Sequence, residues 1–195
     1  MSPRSEIQFE QMRANSRKAI LDGALELFSK KGFSNTTTLD IAREAGISKG
    51  LIYNYFHTKD EILESILEQG FERTVGLMNQ IRSDVPAEQQ LHQLLRTWIE
   101  VAKTDSRFLR LTLSLHLNEE YLYLLEKKGQ EYMELFSRPL IEIFRRFGSD
   151  NPEIDTLLFG SIIDGIGLNY SAAPDLIPID AIIDRLIHLY THHKD

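Results

Sequence analysis

The sequence predicts an all-α fold of about nine helices, with an N-terminal three-helix module and a larger C-terminal helical domain. Three observations lead there. Apolar residues recur at helical spacing almost throughout: Ile20, Ala24, Leu27 and Phe28, then Ile62, Leu63, Ile66 and Leu67, then Leu91, Leu94, Leu95 and Trp98. No segment alternates apolar and polar residues as a half-buried strand does. The periodic stretches are separated by breaks at Gly32 to Asn35, Ala45 to Ser48, His57 to Thr58, Ser83 to Pro86, Thr104 to Ser106, Gly148 to Pro152 and Ala173 to Pro178. A fixed-period repeat and a low-complexity tract are both absent from the sequence, which sets solenoid and linker readings aside.

Composition narrows the class. The chain has 195 residues, 42% of them hydrophobic, enough to bury a core. It has no cysteine, hence no disulfide framework, thiolate zinc site or thiol nucleophile. The polar start MSPRSEIQFEQMRANSRK lacks a signal-peptide core, and the longest apolar run, LLFGSIIDGIGL, is short and contains Asp164. Neither export nor a membrane span is therefore expected, and a cytoplasmic location is the default. The net charge of −7 is unevenly spread: residues 1–59 carry nine Lys/Arg against six Asp/Glu, a local +3, and the remainder is −10. Such asymmetry fits one small module facing phosphates while the rest faces other partners. The shift falls near Lys59, where the long helical stretch TKDEILESILEQGFERT begins, so the expected domains are 1–59 and 60–195, physically coupled by this helix.

Taken in order, the first helix carries Ile20, Ala24, Leu27 and Phe28 and breaks at Gly32. Residues 37–56, TTLDIAREAGISKGLIYNYF, divide into two short helices joined by a tight turn. Thr37 or Thr38 caps the first, and Asp40, three residues after Thr37, approximates a capping box while Ile41, Ala42 and Ala45 form a small apolar face. Gly46 ends that helix, Ile47 plugs the gap, and Ser48 caps the next. This is helix-turn-helix grammar. The second helix gathers Lys49, Tyr53, Asn54 and Tyr55, with Leu51, Ile52 and Phe56 as apolar anchors. In a major groove Lys49 can donate to guanine or phosphate, Gly50 permits close backbone approach, and the Tyr53 and Tyr55 hydroxyls reach phosphate oxygens. Lys59 is expected to clamp the phosphate backbone nearby, so that Lys59→Ala weakens binding to all sequences and flattens its salt dependence. Taken singly, each of these aromatics reads as core, and for Phe56 core is the preferred reading.

Residues 17–63, RKAILDGALELFSKKGFSNTTTLDIAREAGISKGLIYNYFHTKDEIL, resemble the DNA-binding domain of the tetracycline-repressor (TetR) family. The resemblance rests on the first-helix ending LFSKKGF, the TT pair before DIAREAG, the turn GISKG and the junction YNYFHTKDEIL, all in register, and covers about a quarter of the chain. It implies that Thr37, Thr38, Lys49, Gly50, Tyr53, Tyr55 and Lys59 lie at the DNA surface, with Asn54 in the same recognition helix and Ser48 at its start. Leu39 stands where some relatives place a polar base-reading side chain, so no direct base contact is expected there. The resemblance further implies a homodimeric regulator of transcription, and a two-fold dimer presents recognition helices roughly 34 to 36 Å apart to a palindromic operator on double-stranded DNA. Release of a repressor by a small-molecule effector is the expected sign of regulation.

The C-terminal domain must be read from its own residues. Residues 152–170, PEIDTLLFGSIIDGIGLNY, place Ile154, Leu157, Leu158, Ser161, Ile162, Gly165, Ile166 and Asn169 on one stripe, while Phe159, Ile163 and Tyr170 add a second apolar side. A helix apolar on two sides is expected to bury against its own domain and against a second copy. The last helix repeats this with Ile179, Ile182, Ile183, Leu186, Ile187 and Tyr190, opposite a polar edge of Asp180, Asp184 and His188. Leu158, Ser161, Ile162, Gly165, Ile183, Leu186, Ile187 and Tyr190 are accordingly the expected dimer interface. Trp98, Phe108, Leu111, Leu115, His116, Tyr132, Phe136 and Asn169, from four helices, mix apolar bodies with polar tips and are the candidate effector contacts, although each is commonly core. Asp164, an acid in a glycine-rich apolar helix, needs a partner or solvation.

Other functions have less support. The sequence has no HExxH, no cysteine and no phosphate-binding glycine loop after a strand, and Glu119 and Glu120 read as solvated, so no enzyme is expected. Of His188, His192 and His193, the first two share a helix face at a metal-compatible spacing, but terminal histidines usually fray. Neither a metal nor another cofactor is expected.

Overall fold

The computed structural model of the chain describes residues 6–82, 84–104, 106–116 and 137–191. Among these residues there are nine helices and no strand, as the apolar spacing predicts: α1 Glu6–Lys31, α2 Thr38–Glu44, α3 Lys49–Ile52, α4 Lys59–Met78, α5 Ala87–Thr104, α6 Ser106–His116, α7 at 137–146, α8 Pro152–Ala172 and α9 Ile179–Thr191. None of the described helices is long and apolar enough to cross a membrane. The chain forms two compact units, Met1–Gly70 and Phe71–Asp195.

The first unit is built on α1, which buries Ile20, Leu21, Ala24, Leu27 and Phe28. Phe33, Ile41, Ala42, Ile52 and Phe56 are buried in the same unit, as are Ile62, Leu63, Ile66 and Leu67 from the first half of α4. Those four residues explain why the units divide inside α4, whereas the charge shift placed the expected boundary at Lys59. The first turns of α4 are core of the first unit, tied across to α1 by Arg17 Nη2, which donates to Ser65 Oγ at 3.3 Å. Gly23 marks a close approach of α1 to α2: a Cβ there would lie 3.3 Å from the Ala45 nitrogen.

In the second unit, α5 supplies Leu91, Leu94, Leu95, Ile99 and Ala102 to a core shared with Leu140, Ile143 and Phe144 of α7, Phe159 of α8, and Ile179, Ile183 and Leu186 of α9. Phe144, Phe159 and Tyr190 meet with ring centroids 5.2 to 5.6 Å apart, at angles from tilted to edge-on. The break before α8 follows helix-end chemistry. Gly148, at φ 81°, lets Ser149 N donate back to Phe144 O at 3.1 Å, and Asn151 caps α8 ahead of Pro152. The outer edges of α5 and α9 are joined by charge: Lys103 Nζ lies 2.7 Å from Asp180 Oδ2, and Arg96 reaches both Asp180 and Asp184.

Candidate nucleic-acid interface

Seven and four residues are too few for α2 and α3 to persist by propensity, so their ends must be held from outside the helix ladder. At the start of α2, Thr37 Oγ1 accepts from Asp40 N at 3.1 Å, and Asp40 Oδ2 accepts from Thr37 N at 3.0 Å and from Thr37 Oγ1 at 2.7 Å. This is a complete capping box, with Thr37 rather than Thr38 as the cap. The Thr37 hydroxyl, and after it the Thr37 amide, holds the Asp40 carboxyl below its ordinary pKa.

The turn out of α2 uses Gly46 at φ 66°, a conformation that costs a side-chain-bearing residue about 1–2 kcal/mol. With it in place, Ile47 N donates to Ala42 O at 3.0 Å and Gly46 N to Arg43 O at 3.2 Å. Ser48 Oγ then accepts from Leu51 N at 3.3 Å and starts α3. Gly46 to Gly50 spells the letters of a G-x-S-x-G nucleophile elbow, but that elbow requires a strand entering the turn. Here a helix enters, and the Ser48 oxygen serves the backbone. Regular α3 ends at Ile52; Asn54 N and Tyr55 N continue with bonds to Leu51 O and Ile52 O.

Ile52 and Phe56 point inward, 0% and 3% exposed, and the Arg17 guanidinium stands 5.1 Å over the Phe56 ring. Phe56 is thus core. The opposite face presents Ser48, Lys49, Gly50, Tyr53 and Asn54 to solvent, with Tyr55 half-buried. Thr37 is exposed and Thr38 half-buried, its Oγ1 3.5 Å from the Tyr53 hydroxyl, linking α2 to α3. Leu39 is also exposed on α2.

Lys59 departs from the phosphate-clamp expectation. Its Nζ donates to Phe33 O at 2.8 Å and Thr36 O at 2.9 Å and lies 4.2 Å from the centre of the Phe33 ring. Sequence reasoning also missed Thr36, which is 1% exposed and donates its hydroxyl to Gly32 O at 2.9 Å. Its signal was a third threonine beside two that invited functional readings.

The candidate effector contacts do not share one environment. Trp98 and Leu109 close on Gly167 of α8, where a Cβ would sit 3.1 and 3.0 Å from them. Phe108 packs edge-on against Phe71 at 5.7 Å. Leu111 and Leu115 are buried at 0% and 2%. Asn169 is exposed and donates Nδ2 to Gly165 O at 2.8 Å, so it does not converge with Trp98. Tyr132, Phe136 and the side chain of His116 lie outside the described residues, as do Glu119, Glu120, His192 and His193.

The expected dimer set needs correcting. Ile183 and Leu186 are core of their own unit, 0% and 6% exposed, because this stripe of α9 faces α5. Ile187 and Tyr190 are half-buried against the same core. The outward face of α8 holds Ile154, Leu157, Leu158, Ser161 and Leu168, with Ile162 and Gly165 half-buried beside them. Asp164 is exposed.

Residues 20–66 match the family model described as bacterial regulatory proteins, tetR family. Over 183 residues the chain is 28% identical to the HTH-type transcriptional regulator YuxN of Bacillus subtilis, covering 87% of this chain and 61% of YuxN. Over 103 residues it is 30% identical to IcaR of Staphylococcus epidermidis, a negative transcriptional regulator of the biofilm operon icaADBC, covering 53% of this chain and 55% of IcaR. The chain therefore spans less than two thirds of either relative. The fold is shared with a TetR-like transcriptional regulator from Rhodococcus sp. RHA1, at TM-score 0.77 and 18% identity over 97% of this chain and 96% of that one. It is shared also with the transcriptional regulator FadR from Bacillus subtilis in complex with stearoyl-CoA, at TM-score 0.74 and 20% identity over 89% of this chain and 96% of that one. The register of the family match coincides with the capped helix-turn-helix, so that over residues 20–66 the chain is similar to the tetR family of bacterial regulatory proteins.

Proposed function

We propose that this chain binds double-stranded DNA as a homodimer, represses transcription from a palindromic operator, and leaves that operator when a small molecule binds its second unit. One observation carries the reading. The residues suited to phosphates and base edges, Lys49, Gly50, Tyr53 and Asn54, stand exposed on α3 and the turn that continues it, a segment whose two apolar anchors, Ile52 and Phe56, are buried and whose start is fixed by a cap.

The outward apolar stripe of α8 supports a second copy as partner, since Leu157 and Leu158 are more than half exposed on a helix whose other side is core. The negative regulator IcaR among the relatives supports repression. FadR with its stearoyl-CoA supports a small-molecule effector and makes an acyl-CoA the first to screen. The effector acts by population shift: it favours a dimer geometry in which both recognition helices no longer fit successive major grooves, and it shifts the balance only by its differential affinity.

The test is selection of bound sequences from a random duplex library, with stoichiometry determined on the best complex and stearoyl-CoA then titrated into it. Enrichment of a palindrome bound by one or two dimers supports the reading. No enrichment at low salt overturns it. Loss of the complex on titration identifies the effector class.

A further inference from the structure

We infer that Lys59 is a positioning residue for DNA recognition, one that fixes the loop entering α2 instead of contacting a phosphate. The first turn of a helix carries the positive end of its dipole, so a lysine there needs compensation. Lys59 begins α4 and finds compensation in two carbonyl oxygens, Phe33 O at 2.8 Å and Thr36 O at 2.9 Å, and in the face of the Phe33 ring at 4.2 Å. The ring is itself fixed, 5% exposed and edge-on to Phe28 at 5.0 Å.

Phe33 O also accepts from Thr36 N at 3.1 Å, and Thr36 precedes the Thr37 cap. One ammonium thus holds both ends of the turn that delivers α2. The start of α4 is held separately, because Thr58 Oγ1 accepts from Glu61 N at 3.1 Å and Glu61 Oε2 from His57 N at 2.7 Å. The helix end that anchors Lys59 therefore does not depend on the loop it grips. Since α2 carries the Thr38 contact to Tyr53, the grip sets where the recognition face begins.

The inference rests on the DNA-binding reading and is tested on the full chain with Lys59→Met and Lys59→Arg. Each variant is titrated with the selected operator and with random duplex across a range of salt. Loss of a hydrogen bond to a charged group predicts roughly tenfold weaker operator binding by Lys59→Met, with random-duplex affinity and salt slope held at wild-type values. A phosphate contact instead predicts that both affinities fall together and that the slope drops by about one. Lys59→Arg separates the readings again, because guanidinium binds phosphate at least as well as ammonium but does not fit as one point between two carbonyls over a ring. Weaker operator binding by Lys59→Arg supports positioning, and equal or tighter binding overturns it. Amide exchange at Thr37 and Asp40 in the DNA-free protein gives an independent readout. Faster exchange in both variants supports the grip, and unchanged exchange overturns it, even where the wild type binds no duplex and the functional reading has failed.

Discussion

The two units are held together by different means. In the first, short helices depend on polar groups at their ends: a capping box at Thr37 and Asp40, a serine cap at Ser48, a glycine turn at Gly46 and a lysine gripping two carbonyls. In the second, long helices depend on apolar faces, and polar contacts such as Lys103 with Asp180 lie at the rim. The comparison teaches where function is exposed to mutation. In the first unit a single hydroxyl shapes the recognition face, whereas in the second the question is which of two apolar faces turns inward.

Neighbouring positions on α8 should sharpen this contrast most. Phe159 is 1% exposed among Phe144 and Tyr190, and Phe159→Ala is expected to lose about 3–5 kcal/mol in urea unfolding. Leu158, one residue earlier and 54% exposed, should leave the protomer's unfolding nearly unchanged when replaced by alanine while raising the dimer dissociation constant in sedimentation. Equal losses of stability at both positions would erase the distinction between the two faces. In the first unit, Gly46→Ala is expected to cost about 1–2 kcal/mol through its positive φ and to weaken operator binding. Thr37→Ala should cost about 1 kcal/mol by removing the cap, with faster amide exchange at Asp40 as its local signature.

Effects of pH should be smaller. A carboxyl whose pKa is depressed by folding stabilises the fold fully above the ordinary aspartate value of about 3.9, and that contribution fades as pH falls through the depressed value. Asp40 is such a group, through the Thr37 hydroxyl first. Unfolding midpoints of wild type and Asp40→Asn should differ at neutral pH and converge in acid below that range. Asp180, depressed chiefly by Lys103, follows the same sign, while Lys103, raised chiefly by Asp180, loses its contribution only as pH rises above the ordinary lysine range. Both lie at the surface, so Asp180→Asn should shift the midpoint least and high salt should abolish the difference.

These differences also decide what could be read from sequence. Thr37, Asp40, Gly46 and Ser48 act on atoms within five residues of themselves, so their letters and spacing carried the geometry. The partners of Lys59 are 23 and 26 residues away, and no local rule pairs a lysine with two distant carbonyls. Its charge therefore invited a phosphate. On α8 and α9 the periodicity revealed apolar stripes, but Ile183 and Leu186 show that a stripe does not announce its partner. That is settled by α5, which claims them for the core. Convergence of Trp98 with Asn169 failed for a related reason: Gly167 and Asn169 stand on different sides of one helix, and only Gly167 meets the indole.

The division of the chain inside α4 also orders events during synthesis. When α3 has just left the ribosome, the loop ahead of α2 has no lysine to hold it, and Ile62, Leu63, Ile66 and Leu67 are still inside the exit tunnel. The recognition module therefore completes its fold only after the first half of α4 has emerged, and a fragment cut at the charge shift would lack four of its own core residues. An excised DNA-binding fragment should extend to Gly70.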